Sequence, residues 1–138
     1  MSQALNLNTI LAQAGVKTDA TTGALTTPLH FSTTYQHPEF GQSTGYDYTR
    51  TKNPTRVSLE ETLAAIESAD YALATSSGMS AIVLAFSAFP VGSKVLAVRD
   101  LYGGSFRWFA QAEAEGRFAF TYANTEEELQ NKLTEDID

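Results

Sequence analysis

From residue 53 onwards, short apolar segments alternate with helical patterns, and this alternation restricts the possible folds more than any other feature of the sequence. The apolar segments predict three strands, over 71–75, 94–98 and 117–123. Predicted helices separate and flank them: one begins at Asn53-Pro54-Thr55 and ends at Ser68-Ala69-Asp70, and others cover 79–89, 105–115 and 125–133. Strands that alternate with helices are joined by crossovers into a largely parallel sheet, so the sequence predicts an α/β fold.

The predicted helices differ in their expected burial and in their end signals. The first should turn one apolar face inward, formed by Leu59, Leu63 and Ile66. The helix over 79–89 is nearly all apolar, so we expect it to be buried on most sides. Gly116 is a natural stop for the third helix, and the Thr-Glu-Glu-Glu run at 125–128 is a capping box that begins the last one.

The first 52 residues are rich in turn-forming sequence and have no clear helical or strand periodicity. We therefore expect residues 1–52 to form an extended N-terminal arm with little core of its own. Residues 53–138 carry the regular pattern and should form an α/β domain.

The composition excludes several classes of function. The net charge is −7, which disfavours nucleic acid or an anionic membrane surface as the main partner. The chain has no cysteine, so disulfides, thiolate metal sites and cysteine nucleophiles are excluded. Its start lacks the basic and apolar regions of a signal peptide, and we expect a cytoplasmic protein. The charge-free stretch from Tyr71 to Ser93 approaches the membrane-spanning length of about 20 residues, but its serines, glycines and Pro90 favour a strand, a turn and a helix.

The stretch TSSGMSA, residues 75–81, joins a predicted strand to a predicted helix. A helix start leaves N–H groups unpaired, and a glycine there lets a ligand approach the backbone, so this turn could hold a phosphate. Alternatively, Ser76 or Ser77 is an ordinary N-cap and Gly78 only relieves crowding. Neither the GxxxxGK[ST] nor the GxGxxG nucleotide motif is present.

Two further stretches carry aromatic or basic candidates. Tyr102 stands before two glycines in DLYGGS, where its ring could stack on a planar ligand, and Arg107 follows inside the next helix. In YDYTR, alternation places Tyr48 and Arg50 on the same side of an extended segment, and arginine suits phosphate or carboxylate. Purely structural roles explain these residues equally simply. The two histidines lie far apart without a carboxylate cluster, so no metal site is predicted.

Taken together, these stretches resemble one family, the pyridoxal-phosphate (PLP) enzymes of cysteine and methionine metabolism. Its members include cystathionine γ-synthase, the cystathionine lyases, methionine γ-lyase and the homoserine sulfhydrylases. Four stretches match in order, TDATTGALTTPLHFSTTY (18–35), YDYTRTKNPTR (46–56), ATSSGMSAI (74–82) and DLYGGSFR (100–107). The resemblance implies the aspartate aminotransferase-like large domain (fold type I), with residues 53–138 as the first part of the PLP-binding domain.

The resemblance also implies a role for each matching residue. Gly78 and Met79 correspond to the turn whose backbone N–H groups hold the cofactor phosphate. Tyr102 corresponds to the catalytic tyrosine that stacks on the cofactor ring and contacts substrate. Tyr48 and Arg50 correspond to an arm pair that reaches the phosphate in a neighbouring subunit's site, with Arg50 also near substrate, and Arg107 to a position sometimes assigned to substrate contact. A homo-oligomer with shared sites is therefore expected.

One family feature has no counterpart in this sequence. The lysines are Lys17, Lys52, Lys94 and Lys132, and none stands in the family's Schiff-base motif. We expect the chain to be the N-terminal segment of a γ-replacement or β/γ-elimination enzyme, inactive alone and completed by the remaining segment or by a companion chain. The alternative is a non-catalytic phosphate-binding or assembly module. The sequence leaves synthase, lyase and sulfhydrylase open.

Overall fold

The structure, a computed structural model, describes residues 6–16 and 19–133. This part of the chain contains five helices and two strands. In chain order they are α1 (Leu7–Ala12), α2 (Pro54–Glu67), α3 (Gly78–Phe86), β1 (Ser93–Val98), α4 (Gly103–Ala114), β2 (Phe118–Ala123) and α5 (Glu126–Lys132). Their contacts group into two units, Met1–Ala74 and Thr75–Asp138. The predicted division into an arm over 1–52 and a cofactor domain from residue 53 stays a prediction.

In the first unit, α2 begins and ends as the sequence predicts. The Asn53 side chain accepts hydrogen bonds from the N–H groups of Thr55 and Arg56, at 2.9 and 3.4 Å, and Pro54 occupies the first helical position. The helix ends at Ser68, which adopts a left-handed conformation with φ of 53°. The predicted apolar face is only partly covered, because Leu59 is 51% exposed.

The segment before α2 is organised by hydrogen bonds more than by apolar burial. Isolated antiparallel bridges join Val16 to Thr26 and Thr34 to Tyr48. Among the described residues of the first unit, Asn53 and Ala64 alone are buried. The polar Asn53 is therefore part of what little interior this unit has.

In the second unit, β1 and β2 form a parallel pair in register from Ser93–Phe118 to Val98–Ala123. The connection between them contains α4, which confirms the predicted α/β arrangement. Aromatic rings fill the space between the helices and the pair of strands: Phe109 stacks on Phe120 with ring centres 4.5 Å apart, and Phe86 meets Phe118 at 5.3 Å. The buried core residues of this unit are Phe109, Ala112, Phe118 and Ala123.

The predicted strand over 71–75 is wrong, since the described residues form two strands rather than three. A strand requires a paired neighbour, and this segment has none within the described ranges. The N–H of Ala74 instead donates to the carboxylate of Glu60 at 3.0 Å. Tyr71 and Leu73, whose apolar character prompted the prediction, remain exposed.

The predicted burial of the helix over 79–89 is also wrong. α3 ends at Phe86 rather than Phe89, and none of its residues is buried. Phe86 packs against Trp108 of α4 with ring centres 5.1 Å apart. Leu84 lies about half a turn away on the opposite side and is 41% exposed. No helix among the described residues is long and apolar enough to cross a membrane.

Thr125 and Glu128 begin α5 by a variant of the predicted capping box. The Thr125 hydroxyl accepts from the N–H of Glu128 at 3.1 Å, and the Glu128 carboxylate accepts from the N–H of Asn124 at 2.8 Å rather than from that of Thr125. Lys132, one turn on, donates to the same carboxylate at 2.6 Å. The hydrogen bond from Lys132 and those from Asn124 lower the pKa of Glu128 from 4.5 to about 2.

Replacing Glu128→Gln should lower the thermal unfolding midpoint at neutral pH. A carboxylate whose folded pKa is depressed stabilises the fold above its unfolded pKa, and this contribution is lost as the pH falls through the folded value. The difference between the wild type and the variant should therefore shrink between pH 4.5 and about 2 and then disappear. Glu127→Gln, an exposed neighbour on the same turn, is the matched control and should leave the unfolding midpoint at neutral pH nearly unchanged. A Glu128→Gln difference that stays constant across that range would contradict the prediction.

Candidate functional site

The turn before α3 is shaped by its own hydroxyl groups. Ser77 is the N-cap, and its Oγ accepts from the N–H of Ser80 at 3.1 Å. The Thr75 hydroxyl donates to the carbonyl of Ser77 at 2.9 Å and closes the turn from the other side. The N-cap alternative of the sequence analysis is therefore correct for Ser77, but it accounts for only part of this helix start.

Two backbone donors at this helix start have no partner among the described residues. The Ser77 side chain accepts from the N–H of Ser80, and the Ser77 carbonyl accepts from the N–H of Ala81. In no described hydrogen bond does the N–H of Gly78 or Met79 donate. A Cβ built on Gly78 would meet nothing within 4 Å, so this glycine does not relieve crowding within the chain. Neighbouring N–H groups at the positive end of a helix, next to open space, can bind an anion.

Tyr102 stands at the start of α4, close to this turn within the second unit. It is the N-cap residue of α4 but makes no side-chain capping bond, and its ring is 72% exposed. A Cβ built on Gly104 would lie 2.5 Å from Cε1 of Tyr102 and 3.3 Å from Sδ of Met79, so both side chains border this glycine. The buried Ser105 adds a third contact, because its Oγ donates to Met79 Sδ at 3.6 Å.

The structure therefore brings Gly78, Met79 and Tyr102 into one neighbourhood, as the sequence predicts for residues that serve one site. The exposed ring leaves a face available for a planar ligand near the two unpaired N–H groups. Arg107 lies on α4 with an exposed side chain, and none of the described hydrogen bonds or ion pairs involves it. Its predicted contact with substrate stays a prediction.

Tyr48 and Arg50 form their own pair in the first unit. Nη2 of Arg50 donates to the Tyr48 hydroxyl at 2.8 Å, and the guanidinium carbon lies 5.2 Å from the centre of the Tyr48 ring. The two side chains do meet, but the extended segment assumed in the alternation argument is wrong: residues 49–51 form a turn, in which the N–H groups of Thr51 and Lys52 both donate to the carbonyl of Tyr48 at 3.0 Å. Arg50 remains exposed, so its remaining N–H donors are available to an anion.

The backbone that carries this pair is fixed by residues to which the sequence analysis gave no role at the site. Asn53 Nδ2 donates to the Thr49 hydroxyl at 2.7 Å and to the carbonyl of His30 at 3.1 Å. Arg56 donates to the carbonyl of Thr51 at 2.6 Å and pairs with Glu60. The spacing of Arg56 and Glu60, four residues apart on a helix, is the sequence signal that could have revealed the pair.

No group of three or more histidine and acidic side chains among the described residues could hold a metal ion. Lys52, Lys94 and Lys132 lie within the described ranges, and Lys17 lies outside them. Lys132 Nζ is bonded to the Tyr122 carbonyl and to Glu128, at 2.7 and 2.6 Å. The ammonium of Lys52 lies 5.2 Å from the centre of the Tyr46 ring.

Comparison with known proteins identifies the family. Residues 8–138 match the model of the Cys/Met metabolism PLP-dependent enzymes, and the chain belongs to this family. It is 48% identical over 107 residues to a cystathionine γ-synthase of Haemophilus influenzae, and the aligned region covers 78% of this chain and 29% of that protein. It is 40% identical over 136 residues to a cystathionine γ-synthase/O-acetylhomoserine (thiol)-lyase of Bacillus subtilis, which covers 97% of this chain and 36% of that protein.

The fold comparison agrees. A crystal structure of cystathionine γ-synthase from Xanthomonas oryzae pv. oryzae, in complex with aminoacrylate and cysteine, matches with a TM-score of 0.85 and 35% identity. The match covers 96% of this chain and 35% of that one. The chain thus spans about a third of the length of its relatives, and what it shares with them is the α/β fold of PLP-dependent cystathionine synthases and lyases.

The residues present fit the phosphate of the family's cofactor. An anion needs donors with no other partner and room to approach them; Gly78 and Met79 supply the donors, and a Cβ built on Gly78 would meet nothing within 4 Å. The exposed Tyr102 ring beside them suits the planar pyridine ring.

Replacing Gly104→Ala should move the Tyr102 ring without breaking the fold. The new methyl group would lie 2.5 Å from ring atom Cε1, and an exposed side chain can rotate away from it. Gly103→Ala is the matched control, because a Cβ there meets nothing within 4 Å. Crystal structures of the two variants should show a displaced Tyr102 ring in the first and an unchanged ring in the second. A ring that stays in place in Gly104→Ala would contradict the geometry.

Proposed function

We propose that this chain provides the phosphate-binding and ring-stacking part of the active site of a PLP-dependent enzyme of sulfur amino acid metabolism. The observation that carries the proposal is the pair of unpartnered N–H groups at Gly78 and Met79, together with the exposed Tyr102, whose side chain borders Gly104 as does that of Met79. The complete enzyme would catalyse γ-replacement or β/γ-elimination, as the names of the cystathionine synthase and lyase relatives suggest. Here "complete enzyme" means this chain together with the segment that supplies the rest of the relatives' length.

Each residue has a distinct task in this proposal. Gly78 and Met79 hold the cofactor phosphate through their N–H groups at the positive end of α3. Tyr102 stacks on the cofactor ring, and its hydroxyl exchanges a proton with the substrate. When bound, PLP withdraws electrons from the substrate α-carbon and so eases removal of the α-proton.

The arm residues act at a shared site. Tyr48 and Arg50 reach the phosphate of a neighbouring subunit, where the guanidinium of Arg50 supplies charge-assisted hydrogen bonds to phosphate or to a substrate carboxylate. Arg107, exposed on α4, is proposed to contact substrate. The partners are accordingly further copies of the chain, or a companion chain, and an amino-acid substrate, and the enzyme is proposed to work in the cytoplasm.

We infer that the covalent link to the cofactor comes from a lysine outside this sequence. None of Lys17, Lys52, Lys94 and Lys132 follows the family's Schiff-base motif. Lys132 is bonded to Glu128 and to a backbone carbonyl, which favours a structural role for it. We therefore place the Schiff-base lysine in the remaining segment of the complete enzyme.

After mixing with PLP and removal of the unbound cofactor, the 138-residue chain should show no visible absorbance band that borohydride abolishes, whereas the complete enzyme treated in the same way should show one. Borohydride reduces the link between a lysine and the cofactor, so the label can then be located by peptide mass spectrometry. A reduced label on a lysine of this chain would contradict the proposal. A complete enzyme that neither shows the band nor binds PLP would instead support a non-catalytic phosphate-binding or assembly module.

Replacing Gly78→Pro should weaken PLP binding by the complete enzyme about tenfold or more, the size of one charge-assisted hydrogen bond. Proline removes the N–H but fits the first helical position, and Ser77 already has the extended conformation that proline requires of its predecessor. Gly78→Ala is the matched control because it keeps the N–H and adds only a Cβ, so its affinity should fall much less. Equal affinities for the two variants, at equal thermal stability, would refute phosphate binding by this N–H group.

A further inference from the structure

We propose that Arg56 and Glu60 of α2 are positioning residues for the phosphate-binding arm pair, Tyr48 and Arg50. They would act through the backbone rather than by touching the cofactor or the substrate. The inference rests on the proposed function, since it takes Tyr48 and Arg50 to be phosphate ligands. It adds two charged residues whose importance follows from their contacts in this chain.

Arg56 binds three consecutive carbonyl groups of the segment that carries the pair. Its Nη1 donates to the carbonyls of Thr49 and Arg50, at 3.3 and 3.4 Å, and its Nη2 donates to that of Thr51 at 2.6 Å. One guanidinium thus fixes the peptide groups on both sides of the Arg50 Cα. The planar fork of arginine suits this arrangement, and the single ammonium of lysine would not reproduce it.

The position of Arg56 on α2 argues against an incidental role. It is the third residue of the helix, where a positive charge is unfavourable because it lies at the positive end of the helix dipole. Its side chain is also only 30% exposed, so it is partly removed from water. The three carbonyl contacts and the pairing with Glu60 offset that cost, which ties the residue's presence to the segment over 49–51.

Glu60 orients the guanidinium. Its Oε1 lies 3.4 Å from Nε of Arg56, and the same oxygen accepts from the N–H of Ala74 at 3.0 Å. The Glu60 side chain is 18% exposed, so water screens this pair less than a surface ion pair. With Nε turned towards Glu60, the two terminal nitrogens of Arg56 remain for the carbonyls of 49–51.

The opposite side of the same segment is held independently. The N–H of Thr49 donates to the carbonyl of Thr33 at 2.9 Å, and the Thr49 hydroxyl donates to that of Ser32 at 2.6 Å. The segment over 49–51 is therefore bonded on one side to the chain at 32–33 and on the other to Arg56. Removing Arg56 would release one side only, which should loosen the arm pair without unfolding the first unit.

The test is a double-mutant cycle on the complete enzyme. The readout is the ratio of the affinities for PLP and for pyridoxal, which lacks the phosphate, because a general loss of structure weakens both ligands alike. Arg50→Gln and Arg56→Gln should each lower this ratio about tenfold, the loss of about 1.4 kcal/mol. Since Arg56 acts through the arm pair, the double variant should lose clearly less than the sum of the two single losses. Arg56→Lys should restore little of the loss.

Glu60→Gln and Arg117→Gln complete the design. Glu60→Gln should lower the ratio of the two affinities less than Arg56→Gln does, because the contacts of Arg56 with the carbonyls of 49–51 remain. If Arg56→Gln does not fold, Glu60→Gln and Arg56→Lys take its place in the test. Arg117, whose guanidinium lies 5.9 Å from the centre of the Trp108 ring in the second unit, is the matched arginine control and should leave the ratio unchanged.

The outcomes distinguish a failure of the proposed phosphate contact from a failure of the positioning role. If Arg50→Gln leaves the ratio unchanged, the proposed phosphate contact of the arm is wrong, and the inference fails with it. If Arg50→Gln lowers the ratio but Arg56→Gln and Arg56→Lys do not, or if the losses from Arg50 and Arg56 simply add, the positioning role is overturned and the proposed function stands.

Discussion

Every helix begins with N–H groups that its own turns cannot satisfy, and the way each helix start meets this constraint organises the described chain. Asn6, Asn53 and Thr125 cap α1, α2 and α5 with side-chain oxygens. Only the start of α2 is fully closed, since Pro54 has no N–H and Asn53 accepts from Thr55 and Arg56; in α5 the N–H groups of Glu126 and Glu127 have no partner among the described residues. α3 keeps two donors unpartnered despite its Ser77 cap, and α4 has no side-chain cap at all. The starts of α3 and α4 differ from that of α5 in that both lie next to Tyr102.

The first unit shows how a segment with little apolar burial can still be specified. Asn53 is buried, caps α2 with its oxygen and holds the preceding segment with its nitrogen. Because the oxygen and the nitrogen of this one amide both form hydrogen bonds, Asn53 fixes the start of the helix and the path of the segment before it at the same time. A buried polar group is costly unless it is fully bonded, so this arrangement favours one backbone path over its alternatives.

Sequence reasoning was most successful where the signal is local. Asn53-Pro54, Gly116 and the Thr125 capping box all mark real helix ends, because a cap depends on neighbouring residues. It failed where the outcome depends on distant partners. The apolar segment over 71–75 is not a strand, since strand formation requires a paired neighbour that composition does not reveal. The burial of α3 was overestimated for the same reason: an apolar helix becomes buried only where other elements cover it.

The same distinction between local signals and distant partners decides which parts of the candidate site the sequence could predict. The turn at Gly78 and the tyrosine at Tyr102 could be found because glycine and aromatic residues stand out after predicted strands. The contacts of Arg56 with three carbonyls and the approach of Tyr102 to Gly104 could not be found, because they depend on side-chain directions that become defined only in three dimensions.

The hydroxyl groups of Thr75 and Ser77 are occupied in shaping the turn before α3, and the donors that the turn presents belong to the main chain. In the proposed phosphate site, the positions of the N–H donors are therefore set by side chains that need not touch the anion. Most exchanges at residue 79 would leave its donor in place, whereas a change at residue 75 or 77 would alter the backbone path that aims it. Over evolutionary time, such a site would be preserved through the residues that build the turn, and the contact positions themselves would be comparatively free to vary.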